Sequence, residues 1–266
     1  MGKMVLSELW LYPVKSLAGF SVSQSLLEPF GLQHDRRWMV VSAESGEFVS
    51  QRSHPEMCLI MVELLASGIR MQHRDGAALS VNRPVGDVIQ YVTVWGDRCR
   101  GWDAGDEAAS WLTDHLQTDC RLVYFPEDEV RQVDLNYAQP GDKTAFSDGF
   151  PLLLISQASL DDLNHRLSEP VTMARFRPNL VISGCDAFAE DDWRRIRIGD
   201  TCLRVVKPCS RCAIPNVDPD TGLRGREPVH TLSQYRRSEG QVFFGQNVIA
   251  DNPGRLEVGM PMEIIE

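Results

Sequence analysis

Residues 205–222, which read Val-Val-Lys-Pro-Cys-Ser-Arg-Cys-Ala-Ile-Pro-Asn-Val-Asp-Pro-Asp-Thr-Gly, place two thiols and a guanidinium on one loop. A β-type apolar run ends at Lys207, and Pro208 has no N–H with which to continue a ladder. The Asp-Pro-Asp-Thr-Gly segment at 218–222 is typical of a turn, because Pro pre-sets φ and Gly accepts a positive φ. We therefore predict a rigid loop at a strand end, where β scaffolds commonly hold reactive groups.

Cys209 and Cys212 have several chemical interpretations. The other cysteines are Cys58, Cys99, Cys120, Cys185 and Cys202, and none forms the second pair that a structural zinc site usually needs. A thioredoxin-like redox pair needs a helix after the first Cys, and Pro215 argues against that helix. Two interpretations stay open: a single thiolate on a soft metal, favoured by Arg211, or two buried structural cysteines.

The composition narrows the class of protein. A chain of 266 residues, 43% of them hydrophobic, is long enough for one large or two medium globular domains. The net charge of −10 disfavours a nucleic-acid or anionic-membrane surface, but it permits a local cationic pocket. Seven cysteines without framework spacing indicate a reducing compartment, and we expect a cytoplasmic protein. Neither a signal-peptide core nor an 18-residue apolar run is found, so we expect no membrane span.

Short apolar or alternating runs separated by turn residues dominate the first half of the chain. We predict strands over 5–13, 22–27, 38–41, 59–65, 69–73, 78–81, 88–94 and 120–125, with a hairpin turn at 44–47 leading into 48–50. One helix is predicted over 106–116 from apolar residues at helical spacing. The segment 126–142 is charged, contains Pro and Gly, and is predicted to be a linker or mobile loop.

The second half has a similar pattern. Strands are predicted over 152–155, 180–183, 193–198 and 202–206, with a last pair of short strands over 257–265. Ser159 is the predicted N-cap of a helix whose buried face carries leucines. The fold is thus predicted to be mainly β with a few helices (α+β), divided into residues 1–125 and 126–266.

Two cations stand beside predicted strand ends. Lys15 follows a Pro stop in Tyr-Pro-Val-Lys-Ser, and on residue type alone it would be a solvated surface lysine. Arg177 lies in Phe-Arg-Pro-Asn just before a strand, and on residue type alone a surface salt bridge is favoured over an anion ligand.

Several stretches resemble the MOSC domain, which molybdenum cofactor sulfurases, the mitochondrial amidoxime-reducing component and bacterial YcbX proteins share. They are Lys207-Pro208-Cys209-Ser210-Arg211-Cys212, Val217-Asp218-Pro219-Asp220-Thr221-Gly222 and Phe244-Gly245-Gln246-Asn247. Residues 12–16, 35–36, 146–151, 159–163 and 176–184 resemble YcbX-type stretches in the same order and spacing. The resemblance therefore extends over nearly the whole chain.

The resemblance implies a β-barrel-like N-terminal domain (1–125) packed on a MOSC β-barrel domain (126–266), with a molybdopterin-type cofactor between them. By position in the motif, Cys212 is the implied metal ligand and catalytic residue, whereas Cys209 is not. The implied cofactor-binding residues are Lys15, Ser16, Arg36, Ser147, Asp148, Gly149, Arg177, Asn179, Ser210 and Arg211. Anionic phosphate and metal-oxo groups suit such scattered cations. Pyridoxal phosphate binding, also associated with the family, is assigned to no residue of this sequence.

The implied activity is reduction of N-hydroxylated compounds: hydroxylaminopurine-like bases, hydroxylamines and amidoximes. The segment 126–142 is our candidate for shaping the substrate pocket. YcbX proteins usually continue into a plant-type ferredoxin module, which needs a C-x₄-C run. No two cysteines here are five positions apart, and the last predicted strands, over 257–265, end directly before the last residue, Glu266. We therefore expect no iron–sulfur cluster in this chain and a separate donor, a flavin reductase or ferredoxin-like protein. The alternative is a molybdenum cofactor or sulfur carrier with a persulfide on Cys209.

Overall fold

The structure, a computed structural model, describes residues 3–86 and 88–266. The strands are β1 Val5–Leu11, β2 Phe20–Val22, β3 Gln24–Glu28, β4 Gly31–Leu32, β5 Trp38–Ser42, β6 Ile60–Leu65, β7 Gly68–His73, β8 Ala78–Asn82, β9 Ile89–Val94, β10 Asp97–Asp103, β11 Cys120–Tyr124, β12 Leu152–Ser156, β13 Leu180–Ser183, β14 Arg195–Ile198, β15 Thr201–Ser210, β16 Arg237–Ser238, β17 Gln241–Ala250, β18 Gly254–Glu257 and β19 Met262–Ile264. The helices are α1 Asp106–Leu116, α2 Gln157–Arg166 and α3 Val229–Tyr235, and short 3₁₀ turns lie at Pro55–Leu59, Met173–Phe176, Ala189–Asp191 and Ile214–Asn216. The prediction of a mainly β fold with a few helices is confirmed.

The largest sheet runs in the order β19-β14-β15-β17-β12-β13-β1-β2, with β16 paired to β17. Strands β12 and β13 are parallel and are joined through α2, whereas the other pairs are antiparallel. The first strand of the chain belongs to this sheet, because Leu9 of β1 pairs with Leu180 of β13. The boundary that we predict at 125/126 therefore does not coincide with a boundary between sheets.

The first half contributes two more sheets. Strands β5-β11-β10-β9 form one and the meander β6-β7-β8 forms the other, while β18-β3-β4 makes a third small sheet from both ends of the chain. Helix α1 covers a core that includes Leu112, Leu122 and Trp38. Among the described residues, none of the four sheets closes on itself, so the barrel-like halves consist of open sheets. None of the described helices has both the length and the apolar character needed to cross a bilayer.

Strand β15 corrects the expectation that pairing ends before Pro208. It continues to Ser210, and Pro208 stands opposite Gln246 of β17. The register shifts between Val205 and Lys207 and again between Pro208 and Ser210. Such irregularities are where a strand tolerates a residue without an N–H. Cys209 and Ser210 therefore belong to β15, and the cysteine loop of residues 209–212 leaves the strand only at Arg211 and Cys212.

The start of α2 also differs from the prediction. Ser156 is the N-cap, and its Oγ accepts a hydrogen bond of 3.1 Å from the Ser159 amide. Ser159 lies three residues inside, where its hydroxyl donates to Glu190 at 2.8 Å. A serine at either place fits the capping pattern, and the buried Glu190 accepts from both, from the Ser156 amide at 3.0 Å and from the Ser159 hydroxyl.

The end of the chain pairs differently from the expected last strand pair. Strand β18 pairs with β3 and strand β19 pairs with β14, so each is the edge strand of a different sheet. None of β10, α3 and β17 is predicted from the sequence. In β17, Gly245 has φ of 80°, and a Cβ there would lie 2.6 Å from Ile155. The glycine thus allows β17 to approach β12 closely, but it interrupts the alternating pattern by which the strand could be recognised.

Candidate functional site

A cavity of about 710 Å³ lies where the loops after β1 and before β12 meet the loop that precedes β13 and the end of β15. Its lining includes every residue that the sequence singled out: Lys15, Ser16, Arg36, Ser147, Asp148, Gly149, Arg177, Asn179, Ser210, Arg211 and Cys212. The structure thus brings together residues almost 200 positions apart. Their role in binding a cofactor stays a prediction.

The cavity is strongly cationic, although the chain is acidic overall. Its lining carries six cations, Lys15, Arg36, Arg52, Arg177, Lys207 and Arg211, and within the described residues only one carboxylate, Asp148. A concave surface lined by one sign of charge focuses its potential and attracts the opposite charge. A chain of net charge −10 therefore presents one site suited to an anion.

Lys15 is not the solvated lysine that residue type alone suggests. Its backbone N–H donates to Trp38 of β5 at 2.8 Å, which holds it beside the first-half sheet. Its buried Nζ donates to the Phe146 carbonyl at 2.9 Å and to the Asp148 carboxylate. Burial lowers the pKa of Lys15 to about 8, and the Asp148 charge opposes that shift.

Asp148 holds two of the cations. Its carboxylate accepts from Lys15 and, at 3.0 Å, from Arg52. The side chain is 53% exposed and belongs to the lining of the cavity. Burial alone would raise the pKa of Asp148, yet Lys15 and Arg52 hold it well below its usual range. The carboxylate is therefore a permanent negative charge that fixes the two cations beside it.

Arg36 and Arg177 both lie against the ring of Tyr12. Their guanidinium carbons are 4.4 and 4.2 Å from its centroid, within cation–π range. Arg36 also donates to Asp35 at 2.6 Å, to Asn179 at 3.0 Å and to the Arg177 carbonyl at 3.0 Å. Both arginines have positive φ, 47° and 56°. Backbone strain of this kind in bulky residues is typical of functional sites.

Arg177 does not form the surface salt bridge that residue type alone favours. Its Nη1 donates to the Leu17 carbonyl at 2.7 Å, while its buried Nη2 has no partner among the described residues. Burial lowers the pKa of Arg177 to about 10, and the Arg36 charge adds to the shift. The Nε atoms of Arg52 and Arg211 are likewise buried without a partner in the described structure. Buried charged donors without partners are costly, so an anionic ligand would complete this site.

The cysteine loop presents two half-buried thiols, which argues against two fully buried structural cysteines. Arg211 donates to the Cys209 sulfur at 3.1 Å and to the Phe176 carbonyl at 2.7 Å. The Cys212 sulfur accepts from the Ile214 amide at 3.5 Å. Burial would lower the pKa of Arg52, but Asp148 and then the Cys212 sulfur raise it. Cys212 therefore lies beside the Arg52–Asp148 pair.

The segment 126–142 does not have its predicted role. None of its residues lines the cavity, and its buried Arg131 anchors it to the loop before β12. That side chain donates to the carbonyls of Ala145 at 3.0 Å, Asp148 at 2.8 Å and Ser147. The segment is thus a fixed support of the cavity wall. It reaches the rim only through Tyr137, whose ring contacts Phe150 and the Lys207 ammonium, both of which line the cavity.

Sequence reasoning missed Arg52 and Trp95. Arg52 follows the predicted hairpin residues 48–50, where a single cation carries no distinctive signal. Trp95 lies in the tight turn between β9 and β10 with φ of 56°, and its indole is half exposed at the cavity. The Arg52 guanidinium lies 4.7 Å from the Trp95 ring centroid. A positively charged aromatic edge therefore forms one side of the cavity.

Two family models match most of the chain. The family model described as the MOSC N-terminal beta barrel domain matches residues 3–119, and that described as the MOSC domain matches residues 141–263. The chain belongs to the MOSC-domain family. It is 38% identical to the mitochondrial amidoxime-reducing component 1 of Homo sapiens over 97% of this chain and 82% of that protein. The mouse (Mus musculus) protein of the same name is 37% identical with the same coverage.

A longer MOSC protein is also similar. The molybdenum cofactor sulfurase of Oryza sativa subsp. japonica is 35% identical over 90% of this chain, which corresponds to 32% of that protein. The family resemblance inferred from residues 207–222 is therefore confirmed, and with it an association with proteins of molybdenum cofactor chemistry.

Proposed function

We propose that this MOSC protein is a molybdenum-cofactor-dependent reductase of N-hydroxylated bases, hydroxylamines and amidoximes. The observation that carries the proposal is the cavity itself, which combines six cations and one carboxylate with the Cys212 thiol in its lining. The name amidoxime-reducing component, borne by the mammalian relatives, supports the reductase reaction, and the name molybdenum cofactor sulfurase supports the cofactor alone.

The residues present fit such a cofactor. Arg177, Arg52 and Arg211 each keep a buried N–H donor without a partner in the described chain, which suits phosphate or metal-oxo oxygens. Cys212 supplies the single thiolate that a soft metal centre prefers. The remaining holders of the pterin and its phosphate would be Lys15, Ser16, Arg36, Ser147, Asp148, Gly149, Asn179 and Ser210. When bound, the cofactor supplies the two-electron redox chemistry and the protein supplies binding and electrostatics.

The side chains of the cavity have defined tasks in this proposal. Reduction of an N-hydroxyl compound to the amine consumes two electrons and two protons and releases water. Lys15 Nζ is a cavity cation that can release a proton near neutral pH, because burial lowers its pKa to about 8. Asp148 keeps Lys15 and Arg52 in place, and the Trp95 ring offers a face for a planar base.

Electrons would come from a separate flavin reductase or ferredoxin-like protein, since the seven cysteines contain no C-x₄-C run. The acidic balance of the chain would steer docking of a basic or mixed-charge donor. We also propose that the protein acts in the cytoplasm, in keeping with cysteines that carry no disulfide framework.

The decisive experiment is elemental analysis of protein made in a molybdate-replete host, followed by an activity assay. We expect molybdenum in the purified protein and no iron–sulfur absorbance. An artificial one-electron donor should support reduction of an N-hydroxylated base, whereas NADPH alone should not. Turnover with NADPH and no added protein would contradict the need for a separate donor. Metal-free protein would contradict the reductase proposal as a whole.

A sulfur or cofactor carrier is the second candidate. It is favoured by the 3.1 Å contact from Arg211 to the Cys209 sulfur, because a nearby cation stabilises a nucleophilic thiolate. A sulfur carrier would yield protein with a persulfide on Cys209 and no tightly bound molybdenum, whereas a cofactor carrier would contain molybdenum but reduce no N-hydroxylated base. Mass spectrometry of the intact protein, before and after treatment with a thiol reductant, detects the persulfide, and the activity assay separates the reductase from a cofactor carrier.

A further inference from the structure

A group of side chains of types that can ligate metals lies away from the cavity, where the turn between β7 and β8 meets the end of α1. His73 ends β7, Asp75 lies in the turn and His115 lies in the last turn of α1. One potential donor atom from each falls within 4.8 Å of the others. None of the three residues lines the cationic cavity.

We propose that His73, Asp75 and His115 bind a divalent transition-metal ion of the Zn²⁺ type. Two imidazoles and one carboxylate are a common donor set for zinc with an open fourth position. In such a site the donor atoms lie 2.0–2.2 Å from the metal, so they are roughly 3.3 Å from one another. The Asp75 Oδ2 atom is 3.1 Å from His73 Nδ1 and 3.8 Å from His115 Nε2, values that bracket this separation.

The orientation of His115 favours ligation through Nε2. Its Nδ1 lies 2.7 Å from the Trp111 carbonyl, an acceptor, so the proton of the neutral ring belongs on Nδ1. Nε2, which faces Asp75, is then a free lone pair. The Trp111 ring also stacks on the imidazole at 4.0 Å between centroids, which fixes the ring plane. A ligating histidine held by a carbonyl at its other nitrogen is the usual outer arrangement of zinc sites.

Asp75 is also positioned by its backbone. Its Oδ1 accepts the Ala77 amide at 2.9 Å, which leaves Oδ2 directed at the two histidines. The neighbouring cation, Arg74, does not neutralise the carboxylate, because the Arg74 guanidinium donates to Asp220 at 2.7 Å.

An ion at this site would fasten the β7–β8 turn to the end of α1. The same turn is tied through Arg74 to Asp220, in the turn that follows the cysteine loop. Metal binding would therefore stabilise a contact between the two halves of the chain, because a ligand that binds the folded state selectively stabilises it.

The test uses the purified full-length chain after removal of metals with a chelator. Zn²⁺ is titrated calorimetrically into the parent, His115→Gln, Asp75→Asn and a control, His165→Gln. His165 is a good control because it also lies in the last turn of a helix with Nδ1 2.6 Å from the carbonyl four residues earlier, that of Asp161. Far-UV circular dichroism establishes that each variant is folded, and Asp75→Asn removes a ligand without changing the packing around Trp111.

We expect the parent and His165→Gln to bind one equivalent of Zn²⁺ with the same affinity. His115→Gln and Asp75→Asn should bind that equivalent at least about tenfold more weakly. Co²⁺ serves as the spectroscopic probe, since this equivalent should show no thiolate charge-transfer band. Equal zinc affinity in the parent, His115→Gln and Asp75→Asn would overturn the proposal. It would also be overturned if the tightest site showed a thiolate band that Cys212→Ala removed and His115→Gln did not.

Discussion

Replacing Arg131 with alanine should destabilise the protein and loosen the cavity wall. The guanidinium is buried and donates to the three carbonyls of Ala145, Ser147 and Asp148, and at 2.7 Å to Asp97. The Asp97 side chain is half exposed, so that ion pair contributes little. Most of the effect should come from the carbonyls, which would be left inside the protein without a charged donor.

The magnitude follows from those contacts. A hydrogen bond to a charged donor contributes about 1.5–3 kcal/mol, and contributions of this kind are less than additive when water can enter. Each buried carbonyl left without a donor costs about 1–3 kcal/mol, so the three together should cost about 3–5 kcal/mol once this non-additivity is allowed for. We therefore expect Arg131→Ala to lower the free energy of unfolding by about 3–5 kcal/mol, a large part of the roughly 5–15 kcal/mol typical of a domain. Arg131→Lys should recover part of it, since an ammonium cannot reach all three carbonyls.

Urea denaturation followed by tryptophan fluorescence measures the effect, and Arg100→Ala is the matched control. Arg100 pairs with two carboxylates of the same segment, the exposed Asp128 and the largely buried Glu129, but its own side chain is one-third exposed and donates to no backbone carbonyl among the described contacts. Its replacement should change stability little. If Arg131→Ala were no more destabilising than Arg100→Ala, residues 126–142 would be the mobile loop that their composition suggests.

Three further predictions concern the cavity. Cys212→Ala should abolish molybdenum content and activity while Cys209→Ala largely keeps both, and full activity in Cys212→Ala would contradict the assignment. Lys15→Ala and Arg177→Ala should each weaken cofactor retention about ten- to a hundredfold by equilibrium dialysis, whereas the surface variant Arg197→Ala should not. Because burial lowers the pKa of Lys15 from 10.5 to about 8, the unfolded state binds more protons between these values, and the free energy of unfolding should rise with pH there. The contribution of Lys15 to this increase should be missing in Lys15→Met. If the parent and Lys15→Met showed the same dependence of unfolding free energy on pH, measured by urea denaturation, Lys15 would not be buried.

Local patterns predicted much of the fold because they depend on neighbours in sequence. Helix α1 lies at residues 106–116 as predicted, since its apolar face and Gly-bounded start are local features. Strand β15 was predicted too short, because its continuation past Pro208 depends on irregular pairing with β17. Residues 126–142 looked mobile because their composition lacks periodicity, and nothing local shows that Arg131 has three carbonyl partners. The composition of a segment predicts the local structure that it can form, but it does not predict the long-range contacts that fix the segment in the fold.

The geometry of the site is even less predictable from local sequence patterns, because it depends on one long-range strand pairing. Strand β1 pairs with β13 through Leu9 and Leu180, although the two strands are far apart in the chain. This pairing brings the loop that carries Lys15 beside the loop that carries Arg177, whose Nη1 donates to the Leu17 carbonyl. Residue type alone favoured a solvated lysine and a surface salt bridge, because neither residue has a partner nearby in sequence. Both line the cavity because the first strand belongs to the sheet of the second half, so the anion site depends on this long-range pairing.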